Sequence, residues 1–155
     1  MNLLEGLLAG VLMISPLQAE VPKTEPSAQC LAMNMYHEAR GQGSAGLLAV
    51  SSVVLNRVAD KRFPNDICEV IKQGPTRESW KTKQTPDPTD AVFYPIRHKC
   101  QFSWWCDGRS DVPKDKKTYK RLLTIASSIV YNKFDFVDTT DGATFYHADY
   151  VTPAW

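Results

Sequence analysis

An excess of charge of one sign is missing from this chain: 18 Lys and Arg stand against 17 Asp and Glu in 155 residues, a formal net charge of +1. A surface so nearly neutral gives no electrostatic case for a nucleic-acid partner. Long apolar runs are missing too. The stretch Leu7 to Leu17 is too short to cross a bilayer, so no stable membrane span is expected. Histidine is scarce, at three. Cys30, Cys68, Cys100 and Cys106 include no pair at the two-residue spacing of a zinc knuckle or a redox motif. No heptad and no internal repeat appears, which removes coiled coils and solenoids.

What is present fits one ordinary core: 43% of residues are hydrophobic and 23% charged, and 155 residues are too few for two typical domains. The apolar run ending in "SPLQAE" suits a secretory signal cleaved after Ala19, although Glu5 and no basic residue precedes it. Loss of residues 1–19 removes one acid, and the net charge moves to 18 − 16 = +2. Residues 20–27 then read as a linker and 28–155 as the folded domain. An even cysteine count in an exported chain predicts two disulfides, in any of about three pairings. The expected location is the periplasm or cell envelope.

Along the chain, Leu31, Met35, Ala32 and Tyr36 recur at helical spacing from Ser27 to Arg40, with Ser27 as N-cap and Gly41 as stop. A second helix runs from about Ser44 to Val58 and is apolar or small on nearly every side. Pro64 and Asn65 turn the chain, and Asp66 caps a short helix ending at Gly74. The Pro-rich, Thr- and Lys-rich residues 75 to 99 read as an irregular loop long enough to be functional. A further helix spans about Asp115 to Asn132, with Tyr119, Leu122, Ala126, Ile129 and Val130 on one face and a Lys/Arg-rich, solvated first half. "GATFYHADYV" alternates weakly and predicts a short strand or hairpin. The class is α+β, mainly helical.

Glu38, in "MYHEARG", stands at the end of the first helix. The histidine and acid resemble the start of a zinc-protease helix, but that site needs a second His at position 41, where Gly stands. No metal is expected. No nucleophile-elbow glycine pattern supports acyl transfer. A lone carboxylic acid is left as proton donor. At a helix carboxyl end the macrodipole disfavours its ionised form, which is what a general acid near neutral pH requires. Arg40 opposes this if the two side chains meet; a Glu38–Arg40 surface pair is the plain alternative.

Four ordered blocks, "AMNMYHEARGQGSAGLLAVSSVVLNRV", "FPNDICEVI", "CQFSWWCDG" and "GATFYHADYVTPAW", resemble the SleB-type cell wall hydrolase family, typified by a spore cortex-lytic enzyme. The resemblance implies a two-lobed, lysozyme-like domain that cleaves peptidoglycan between N-acetylmuramic acid and N-acetylglucosamine. Glu38 matches the family's catalytic acid. Lytic transglycosylation, ending in a 1,6-anhydro ring, is the favoured chemistry, with no metal or organic cofactor; hydrolytic muramidase action and a non-catalytic peptidoglycan-binding envelope module are the alternatives. A hydrolytic route wants a second carboxylate roughly 5 to 9.5 Å away, and Asp107, Asp111 and Asp141 are the candidates.

The same resemblance assigns Gln101, Ser103, Tyr146 and His147 to the substrate, and sets Cys100 and Cys106 to fix the loop between them if oxidised. Trp104, Trp105 and Tyr146 are candidate sugar platforms, with one of the two tryptophans expected buried and the other exposed. Gly41 and Gly43 allow a tight turn after the catalytic helix. Family members usually continue past the block ending at Trp155, and the stretch from Pro75 to Lys99 matches none of the blocks. A monomer acting on glycan strands is expected.

Overall fold

The computed structural model describes residues 26–84, 87–131, 136–147 and 152–154. The expected signal and most of the linker lie outside these. The elements are α1 (Pro26–Ala39), α2 (Gly43–Ala59), α3 (Ile67–Ile71), β1 (Thr76–Glu78), β2 (Phe93–Pro95) and α4 (Lys116–Tyr131), with three short 3-10 turns between α3 and α4. The class is mainly helical α+β, as the patterning predicts.

α1 is the central strut. It packs on α2, α3 and α4, and Leu31, Ala32, Met35, Tyr36 and Ala39 are buried along it. α4 answers with Leu122, Ala126, Ile129 and Val130, while Lys116, Lys117, Lys120 and Arg121 stay exposed. That division is an amphipathic helix with its charges in water. Burying each such aliphatic side chain contributes about 1.5–3 kcal/mol, so the face of α1 holds its exposed end in register with the rest of the core.

Asp66 caps its helix as the sequence predicts, and Asp115, expected only as the approximate start of the last helix, does the same for α4. Asp66 accepts the Glu69 N–H at the start of α3, at 3.0 Å, and Asp115 accepts the Thr118 N–H and hydroxyl at the start of α4, at 3.0 and 2.6 Å. Each satisfies a helix N–H that has no partner inside its own helix. α2 needs another device. Its first residue, Gly43, has φ 67°, a left-handed conformation that only glycine adopts without steric cost.

Two disulfides are formed, Cys30–Cys68 and Cys100–Cys106. The first ties α1 to α3, and the second closes the short loop that carries Gln101 and Ser103.

The strand expectation is corrected. Residues 142–147 have no regular structure, and 148–151 lie outside the described residues. The antiparallel pair is instead β1 with β2, in register Thr76↔Pro95, Arg77↔Tyr94 and Glu78↔Phe93, inside the stretch expected to be irregular. "TRE" and "FYP" are too short to show the period of two that marks a strand. Pro95 fits only because this is the edge of a two-stranded sheet.

Candidate active site

Glu38 lies on the last turn of α1 and is partly buried. Its Oε2 accepts a hydrogen bond from the Tyr146 hydroxyl at 2.6 Å, across 108 residues of sequence. Oε1 carries no hydrogen bond among the described residues. Arg40 does not neutralise the acid: its guanidinium lies over the Tyr36 ring, 4.6 Å from the centroid, and no Glu38–Arg40 ion pair forms. Two residues turn the chain by about 200° at helical pitch, so Glu38 and Arg40 leave the end of α1 on nearly opposite sides.

Tyr146 is presented to Glu38 by α2. The Asn56 amide donates to the Asp138 carboxylate and the Ala143 carbonyl, each at 3.0 Å. Arg57 Nε donates to the Thr144 carbonyl at 2.7 Å. Asp138 closes its own loop by accepting from the Thr140 N–H and hydroxyl and the Gly142 N–H, at 2.8, 2.6 and 2.8 Å. These bonds push the Asp138 carboxyl well below the usual range; those from Thr140 are the main cause. The backbone of 143–144 is thus gripped by side chains rather than by a second strand, which is why the weak alternation there builds no sheet.

Arg57 is 1% exposed and carries its charge with no carboxylate partner among the described residues. Its guanidinium lies 5.1, 5.7 and 5.0 Å from the centroids of Phe63, Phe102 and Phe145. With its amide turned so that the oxygen faces the guanidinium, Gln101 accepts from Arg57 at 3.1 and 3.3 Å. Burial lowers the Arg57 pKa, and the nearby Tyr146 opposes that shift. A delocalised, weakly hydrated cation tolerates such a site far better than an ammonium does. Tyr146 also packs on Phe102, ring centroids 6.3 Å apart. Its hydroxyl pKa is raised strongly, first by burial, then by the hydrogen bond to Glu38 and the charge there; Arg57 counteracts. The phenol is therefore a donor throughout the physiological range, while its ring remains 42% exposed.

The other expected residues divide. Gln101 joins the cluster through Arg57. Ser103 and His147 are exposed, and no hydrogen bond links either to Glu38. Trp104 is only 8% exposed, donates to the buried Asn34 at 2.9 Å and stacks on His37 at 4.7 Å, so it is core rather than a sugar platform. Trp105 is half-buried under the Lys72 ammonium, 4.8 Å from the ring centroid. Among the candidate second acids, Asp107 caps a turn by accepting the Arg109 N–H at 2.7 Å. Asp141 is an exposed turn residue at φ 56°. Asp111 offers its carbonyl to His37 Nε2 at 3.0 Å. Its carboxyl pKa is pushed up mainly by burial. His37 and Asp111 belong to a concavity of about 400 Å³ beside Arg40 and Trp104. Glu38 does not line it.

Among the described residues no group of His, Cys, Asp and Glu is arranged to hold a metal ion. No described helix is long and apolar enough to cross a membrane.

Sequence reasoning missed Asn56, Arg57, Phe102 and Asp138 as parts of the site. The signal for Arg57 was available, since a cation on a helix apolar on nearly every side has to find partners inside.

A carboxyl at a helix end, held by a phenol and backed by a buried guanidinium, is an arrangement chemically able to give and take a proton. The model of the cell wall hydrolase family matches residues 41–155, and the chain belongs to that family. No curated protein and no solved structure matches the chain. Membership makes peptidoglycan the substrate class and breakdown of the wall polymer the activity. The match begins three residues after Glu38, so it says nothing of that acid's role.

Proposed function

We propose that this chain cleaves the peptidoglycan glycan strand by lytic transglycosylation, with Glu38 as the single acid and base. Glu38 gives its proton to the glycosidic oxygen between N-acetylmuramic acid and N-acetylglucosamine, and the bond from that oxygen to muramic C1 breaks. The carboxylate so formed takes the proton of the muramic 6-hydroxyl as O6 bonds to C1. A 1,6-anhydro ring results, and the acid is restored.

Tyr146 holds Oε2 and stabilises the transient carboxylate by a hydrogen bond that strengthens when its acceptor is charged. Oε1 is the oxygen left for the proton transfers. Gln101, with its oxygen on Arg57, keeps its amide N–H groups for an acetamido carbonyl. Ser103, His147 and the open part of the Tyr146 ring are assigned to the sugars. We place the enzyme outside the cytoplasm as an exported monomer with a two-lobed, lysozyme-like cleft; the two disulfides support an oxidising compartment.

The observation that carries the reading is the 2.6 Å bond between Tyr146 and Glu38 in a chain of the cell wall hydrolase family. This route needs no second carboxylate, whereas a muramidase does. Mass spectrometry of products from purified sacculi separates them. Anhydro-muropeptides, one water lighter than hydrolytic products, are expected; exclusively reducing muramic ends would refute transglycosylation.

A further inference from the structure

We propose that the hairpin between α3 and the Cys100–Cys106 loop carries a second binding site, for a peptidoglycan strand bearing its stem peptides. The proposal rests on the reading of the chain as a wall-polymer enzyme and adds a surface remote in sequence from Glu38. β1 and β2 form one side of a concavity of about 490 Å³, where Trp80, Arg77, Lys81, Lys83 and Tyr94 meet. That volume falls within the range of small-ligand sites, about 300–1,000 Å³.

Two features mark it as a recognition surface. Trp80 is 68% exposed and Tyr94 60%, with Phe93 and Val92 also in water beside them. Large apolar side chains kept together at the surface and rimmed by polar groups mark an interaction site. The surface is also cationic. Arg77, Lys81 and Lys83 have no ion pair among the described residues, and the lone lining acid, Glu78, accepts from the Thr82 hydroxyl at 3.3 Å. The Lys81 ammonium stands 5.8 Å from the Trp80 ring centroid.

These two features match one polymer. A pyranose ring presents C–H bonds that pack on Trp80 and Tyr94, while the carboxylates of stem peptides answer the three cations. A membrane surface fits less well, because the aromatics line a hollow and are interspersed with charge instead of projecting as an apolar wedge. The hairpin is independent of the core. Its base is closed by Ile96 N–H to Pro75 and its tip by Ser79 N–H to Val92, at 2.9 and 2.7 Å, and no side chain lining the hollow is buried.

The test uses the full chain with Glu38→Gln, so that binding is read without cleavage, and sacculi freed of other wall polymers. Adding Trp80→Ala with Tyr94→Ala is expected to weaken sacculus binding at least ~10-fold with an unchanged melting temperature, since both exposed rings on which a sugar face would pack are removed. Adding Lys81→Glu with Lys83→Glu instead is expected to weaken binding and flatten its salt dependence. Sacculi stripped of stem peptides by an amidase should bind the parent less well and ignore the lysine changes. If the parent binds and the aromatic double variant binds equally, the second site is wrong and the catalytic reading stands. If the parent fails to bind sacculi at all, both fall. Loss of binding to phosphatidylglycerol vesicles with sacculus binding intact would assign the hollow to membranes and overturn the proposal.

Discussion

The Tyr146 hydroxyl donates to Glu38 Oε2 at 2.6 Å, joining the end of the first helix to the last part of the chain. Tyr146→Phe removes that donor and little else, since the ring keeps its packing on Phe102. The expected result is a fall in kcat of about 10- to 100-fold with little change in stability, by analogy with loss of one positioned donor near developing charge. Turbidity loss of sacculi and a thermal melt check the two halves.

Tyr146 also makes a pH prediction. Its folded pKa is raised above the unfolded value of about 10, chiefly by burial and then by Glu38. The stability it contributes is complete below about pH 10 and is lost as pH rises through the folded value. Ultraviolet tyrosinate difference spectra of wild type and Tyr146→Phe should therefore coincide near pH ~10, because this phenol stays protonated there. Glu38→Gln should bring its titration down, since the nearby charge is removed and the phenol is left donating to a neutral amide oxygen.

Arg57 anchors the segment behind Tyr146. Arg57→Met leaves the partly buried Thr144 carbonyl without its donor and takes the guanidinium away from the exposed Gln101 amide oxygen, and unfolding free energy should drop by about 1–3 kcal/mol. Arg57→Lys should rescue little, because an ammonium cannot present the planar fork that reaches both groups. Urea unfolding of the two variants, with midpoints close together and well below wild type, is the expected outcome.

How far the residues announced this arrangement depends on whether a contact is local. Apolar spacing marks α1 and α4 because each buries one stripe, and the Asp66 and Asp115 caps are local bonds three residues long. The even cysteine count announces two bridges but not their pairing, since that depends on which helices meet. Glu38 came from its helix-end position and the family resemblance. Asn56, Arg57 and Asp138 did not: Asn56 is separated from Asp138 and Ala143 by 82 and 87 residues, and Arg57 from Thr144 by 87. Trp104 looked like a sugar platform for the same reason. Its partner Asn34 lies 70 residues back, and no pattern near residue 104 reveals that the ring is covered.

Asp138 gives an acid-side counterpart. Its folded pKa is depressed by the Thr140 and Asn56 hydrogen bonds, so its stabilising effect is full above the ordinary Asp value of about 3.9. That effect fades as pH falls toward the depressed folded value. Asp138→Asn should lower the melting temperature at neutral pH, and the gap from wild type should close in strong acid. Melts taken across that range decide it.

The two disulfides differ in what they restrain. Cys30–Cys68 closes 38 residues and Cys100–Cys106 only 6. Chain entropy assigns the longer loop about 4 kcal/mol and the shorter about 2. Serine pairs at Cys30 and Cys68 should cost more stability than the same change at Cys100 and Cys106. The second pair should instead cost activity, through the loop that holds Gln101.

Muropeptide release from purified sacculi by the Glu38→Gln chain tests the proton-donor role most directly. The amide keeps the size of the side chain and an acceptor oxygen for Tyr146 but has no acidic proton to give. With the circular dichroism spectrum and both disulfides intact, release should fall at least ~1,000-fold, as expected when an essential acid is removed. Release at the wild-type rate would contradict it.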